Sequence, residues 1–97
     1  VSSNWQVIWD RKVQKQLDRI PTHVRDKFLA WAIVVEQLGL ERARRIPGYH
    51  DEPLTGRLKG KRSIRLNRAY RAIYIEEMDG NMQIVEIVKV SKHEYQE

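Results

Sequence analysis

The chain has 97 residues, 41% hydrophobic and 32% charged, with 18 Lys and Arg against 13 Asp and Glu and a formal net charge of +5. That length supports one core rather than two, no apolar run approaches the roughly 18 residues of a membrane span, and the absence of cysteine excludes disulfides, thiolate metal sites and thiol nucleophiles. The basic balance favours polyanions, through counterion release, or an acidic protein partner.

Residues 5–9, WQVIW, are aromatic and β-branched and predict a first strand. Asp10 is a good N-cap for a helix in which Val13, Leu17 and Ile20 recur on one face. Pro21 ends that helix and suits the first turn of the next. The second helix is longer, with Val24, Phe28, Trp31, Val35 and Leu38 as its apolar stripe and Leu29, Ala32, Ile33 and Val34 widening it. Gly39 is the expected stop, and residues 40–46 add a further helical turn. From Pro47 the composition turns to PGYHDEPLTG, read as a loop.

Two strands are expected over about 62–67 and 70–76, and a third over 82–90, with a tight turn at Asp79-Gly80 between the last two. The order β-α-α-β-β-β predicts an α+β fold of one domain: a helical hairpin packed on one face of a mostly antiparallel four-stranded sheet. With no basic start followed by an apolar signal segment, a cytoplasmic location is expected, and no membrane partner.

The stretch LKGKRSIRLNRAYRAIY stands out. From Arg57 to Arg71 it holds seven basic residues and no acid. If Asn67, Arg68 and Ala69 form a hairpin turn, Arg65 faces Arg71 on the neighbouring strand. Two guanidinium groups in that relation repel unless an anion lies between them, so a site is sought there. The plain alternative is a solvated basic strand face. Arg65 and Asn67 share one side of their strand, opposite Ile64 and Leu66. Arg71 joins them if the turn has three residues, and a bulge near Ala69 would re-aim everything after it.

Two segments can converge on this surface. The loop before the hairpin brings His50, Asp51, Glu52, Lys59 and Lys61, and the C-terminal residues bring Lys92, His93 and Tyr95. If the substrate is RNA, cleavage without a metal or cofactor needs a base for the 2′-hydroxyl, an acid for the leaving 5′-oxygen and cations for the phosphorane charge. Glu52 or His93 can serve as base and His93 or Tyr95 as acid. Arg65 and Arg71 suit the charge-stabilising role, because a guanidinium holds phosphate through two parallel hydrogen bonds. Lys59, Lys61, Arg62, Asn67, Arg68 and Lys92 are candidate RNA contacts. For Arg71 the competing reading is an ion pair with Glu86.

The segment EPLTGRLKGKRSIRLNRAYRAIY, with this strand order and a His-x-Tyr ending, resembles the RelE/ParE superfamily of bacterial toxins from type II toxin–antitoxin systems. The likeness spans nearly the whole chain, read as one RelE-like toxin domain over 1–97, and is greatest toward the RelE, YoeB and HigB type mRNA interferases. It implies a microbial-RNase-like fold and endonucleolytic cleavage of ribosome-bound mRNA in the A site. It also implies a cognate antitoxin that covers the basic face. Residue by residue, it places Glu52 as general base, Arg71 as the arginine on the transition-state phosphate, Asn67 near the site and Lys59 and Lys61 in the loop before it. His93 and Tyr95 complete the site, although here they form His-Glu-Tyr where the family has adjacent His and Tyr. The ParE branch shares the fold and inhibits DNA gyrase without cutting RNA, so gyrase inhibition is an alternative, as is RNA or ribosome binding without catalysis.

Overall fold

The computed structural model describes residues 4–92. The chain runs β1 (Trp5–Trp9), α1 (Arg11–Arg19), α2 (Thr22–Leu38), α3 (Leu40–Arg44), β2 (Glu52–Pro53), β3 (Arg62–Arg65), β4 (Tyr70–Asp79) and β5 (Met82–Lys92), with a short 3-10 turn at Gly56–Leu58. The sheet has five strands in the order β1-β5-β4-β3-β2. β1 runs parallel to β5 and the other pairings are antiparallel. This corrects the expected four: part of the PGYHDEPLTG stretch pairs with β3, through Glu52 opposite Ser63 and Pro53 opposite Arg62. Proline is tolerated there because β2 is an edge strand whose missing N–H costs no ladder bond.

Local chemistry explains the boundaries. The Asp10 side chain accepts from the Val13 N–H at 2.9 Å and caps α1. Pro21 stands just before α2, and Gly39 (φ +94) closes it with its N–H donated to the Val35 carbonyl. A Cβ at Gly39 would make only an ordinary contact with the Trp5 ring, at 3.4 Å, so it is the positive φ that calls for glycine. The β4–β5 hairpin turns through Gly80 and Asn81, with Asp79 paired to Met82.

One buried cluster joins Val13, Leu17, Val24, Phe28, Trp31 and Val35 of the helices to Val7, Ile64, Ala72, Tyr74, Val85, Ile87 and Val90 of the sheet. The helices therefore cover a single sheet face. Leu29 and Ile33, expected to widen the α2 stripe, and Leu38, expected to end it, are exposed, because one helix turns only part of its circumference toward a sheet. Two strand N–H groups are met by helix side chains: Val90, beyond the end of β1, donates to Gln16 at 2.7 Å, and Val7 of the edge strand β1 donates to Glu36 at 2.8 Å. Among the described residues, no helix is long and apolar enough to cross a membrane.

Candidate functional site

The register brings Arg65 directly opposite Arg71. Ala72 and Tyr74 of β4 are buried under the helices, so Arg71 and Ile73 take the other face with Arg65, where Ile73 is itself buried. The neighbouring row reads Glu52, Ser63, Ile73 and Lys89 across β2, β3, β4 and β5. Arg71 reaches across β3 to Glu52, with Nη2 3.9 Å from Oε2. This is a loose charge contact rather than a hydrogen bond. Glu52 is the more exposed partner, at 57% against 23% for the Arg71 side chain. Between their strands lies Ser63, 1% exposed, small enough to let the longer chains meet above it. The acid paired with Arg71 is thus Glu52; Glu86 sits further along β5, opposite Ile75 and Ile8.

Glu52 offsets one of the two facing guanidinium charges. Arg65 is exposed, and Lys89 adds a further exposed cation in the next row. At this end of the face Arg65, Arg71 and Lys89 outnumber the Glu52 carboxylate, with Glu86 and Glu77 further along the same side, and an anion seated between the arginines would relieve the local surplus.

Lys89 was not among the candidates read from sequence, and a bulge is the reason. β4 pairs Ile73 with Lys89 but Tyr74 with Ile87, so Val88 is an extra residue in β5. Without it, Lys89 would share the buried side of Val85 and Ile87; with it, Lys89 turns outward. The bulge considered near Ala69 lies instead on the facing strand. Its trace in the sequence is Ile87 and Val90, both buried at a spacing of three, which an unbroken strand does not allow.

The remaining candidates have mixed placements. The Asn67 side-chain oxygen accepts from the N–H groups of Ala69 and Tyr70, both at 2.8 Å, and so builds the turn that sets Arg65 against Arg71. Arg68 is exposed at that turn. Lys59 is exposed and Lys61 half-buried in the β2–β3 connection, where the Lys61 carbonyl accepts from the Leu54 N–H at 2.9 Å. Lys92 pairs with Tyr70 and so lies on the opposite side of the sheet from the arginines. His93 and Tyr95 lie outside the described residues.

Arg62 also departs from the basic face. It alternates with Ser63 onto the helix-covered side, where Nε donates to Asp51 Oδ1 at 2.6 Å. The Asp51 side chain has no exposure and accepts a second hydrogen bond, at 2.6 Å, from the Tyr74 hydroxyl. Arg44 of α3 stands 4.0 Å from Asp51 through Nε and pairs with Glu76 through Nη2. Burial, reinforced by Asp51 and partly opposed by Arg44, pushes the Tyr74 hydroxyl far above the ordinary tyrosine range. Burial works against the charge of Arg44, but Tyr74 and Glu76 outweigh it, so Arg44 is held more firmly protonated. Burial likewise raises Tyr49. His50 is exposed and takes a left-handed backbone (φ +46) between the inward-turned Tyr49 and Asp51. Among the described residues, no three His, Asp or Glu side chains are grouped as metal ligands.

The family model described as ParE toxin of type II toxin-antitoxin system, parDE, matches residues 7–96. The chain belongs to the ParE toxin family. Its fold is shared by a YoeB/ParE toxin from Agrobacterium tumefaciens, at TM-score 0.71 and 18% identity over 92% of this chain and 99% of that one. It is shared too by the archaeal RelE–RelB complex from Pyrococcus horikoshii OT3, at TM-score 0.64 and 22% identity over 93% and 96%. The YoeB–YefM complex from Staphylococcus aureus gives 0.65 and 18% over 95% and 100%. No curated protein matches the chain. This ParE-family chain therefore carries the α+β toxin fold of the RelE/ParE superfamily, and relatives of that fold occur in complexes with antitoxins.

Proposed function

We infer that this toxin acts on RNA, as a metal-independent endoribonuclease that cuts mRNA in the ribosomal A site and so inhibits translation in the cytoplasm. The observation that carries the reading is the meeting of Glu52 and Arg71 on an open, cation-rich sheet face. A carboxylate beside a guanidinium supplies a base and a phosphate ligand within one contact distance. Glu52 takes the proton of the 2′-hydroxyl, the 2′-oxygen attacks phosphorus, and Arg71 and Arg65 hold the charge gathered on the phosphorane oxygens. The 5′-oxygen leaves with a proton from His93 or Tyr95. Lys59, Lys61, Arg68 and Lys89 guide the flanking phosphates. An acidic segment of a cognate antitoxin matches this face by charge, and its binding would silence the site.

The test is expression in bacteria followed by primer extension on cellular transcripts. Discrete cuts within reading frames, lost together with growth arrest in Arg71→Ala, are expected. Wild-type toxicity of that variant would remove Arg71 from the mechanism. The match to the ParE family model favours a second reading, inhibition of DNA gyrase without RNA cleavage; intact transcripts together with DNA damage would establish it.

A further inference from the structure

We propose that Asp51 is a positioning residue, whose buried carboxylate holds the two-residue strand β2 in place and thereby fixes Glu52 over Arg71. The proposal deepens the nuclease reading and rests on it for the role of Glu52. A strand of two residues ending in proline has a short ladder: β2 meets β3 through Glu52–Ser63 and Pro53–Arg62, extended by the Leu54 N–H bond to the Lys61 carbonyl. Left to those bonds, an edge segment of that length frays. Successive residues of a strand point to opposite faces, so the residue before the base is the one that can be bolted to the interior. Asp51 is bolted there: to Arg62 on β3 at 2.6 Å and to Tyr74 on β4 at 2.6 Å, with no exposure.

The approach to β2 is tied as well. The Tyr49 hydroxyl donates to the Lys27 carbonyl on α2 at 2.8 Å, and the Tyr49 carbonyl accepts from the Arg65 N–H at 2.6 Å. Arg62 and Tyr74 are themselves cross-strand partners, so the acid grips both strands that carry the arginine pair. The base and its counter-charge are therefore referred to the same rigid strands, one through the backbone and one through the buried acid.

The experiment is a double-mutant cycle on Asp51→Asn and Glu52→Gln. It reads single-turnover cleavage of a short labelled mRNA programmed on ribosomes, and the affinity for that complex. Misplacing a reacting group by about 1 Å can cost about a hundredfold, so Asp51→Asn is expected to slow the cleavage step by about 10- to 100-fold. Affinity should stay within about twofold, since the phosphate-binding cations are untouched. In the Glu52→Gln background the same change should have no further effect, because there is no longer a base to position. Wild-type cleavage by Asp51→Asn overturns the proposal, and so does an equal loss in both backgrounds. Wild-type cleavage by Glu52→Gln removes the base that Asp51 is proposed to position and so overturns the proposal, whereas no cleavage by the parent chain overturns the nuclease reading instead. Amide exchange then decides the anchoring on its own. Asp51→Asn should speed exchange at Leu54, whose N–H is bonded to Lys61, by at least about tenfold while helix-core amides stay protected. Unchanged exchange at Leu54 overturns the anchor.

Discussion

Two adjacent acids meet two arginines of neighbouring strands, and the thickness of the sheet separates their fates. Asp51 turns inward to Arg62 and Tyr74, and its side chain is fully buried. Glu52 turns outward to Arg71 and stays 57% exposed, at a looser 3.9 Å. Breaking a buried charge pair strands a desolvated group and is costly, whereas an exposed pair contributes little to stability. The inner pair is thus committed to structure, and the outer one is free to exchange its partner for a phosphate.

The comparison breaks most severely at the inner pair. Asp51→Ala should cost about 3 kcal/mol, toward the lower end for breaking a buried pair because Arg62 keeps some exposure to water; urea denaturation of the purified chain checks it. Tyr74→Phe removes one hydrogen bond to a buried carboxylate and should cost about 2 kcal/mol by the same measurement. It also bears on pH. A tyrosine whose folded pKa lies above its unfolded value near 10.0 contributes stability that is complete below that value and declines as pH rises above it. Stability of the wild type should therefore fall above about pH 10, and Tyr74→Phe should flatten that fall; the residual slope belongs partly to Tyr49, shifted the same way.

At the outer pair the stability effects shrink. Ser63→Leu places a larger side chain under the crossing of Arg71 and Glu52 and should cost about 1 kcal/mol by overpacking. Its main effect should be loss of growth arrest as the two charges are forced apart. Glu52→Gln should change stability by less than about 1 kcal/mol and still abolish growth arrest. A large stability loss from Glu52→Gln would erase the distinction between the two pairs.

Much of this molecule was legible along the chain. The strand over 5–9, the Asp10 cap, the stop at Gly39 and the facing of Arg65 by Arg71 follow from side-chain period, capping chemistry and turn length, all local rules. The family resemblance likewise rested on residues contiguous in sequence. Three things needed the assembled sheet. The strand at Glu52–Pro53 exists only because β3 offers it an edge. Lys89 faces the site only because Val88 is extruded opposite β4. Arg62 stands on the helix side by alternation with Ser63 and Arg65, and only the assembled fold brings the buried Asp51 carboxylate to meet it there. Local sequence determined which residues form each element; the pairing of distant strands decided which face each charge occupies, because a shift of one residue in register reverses the side of everything beyond it.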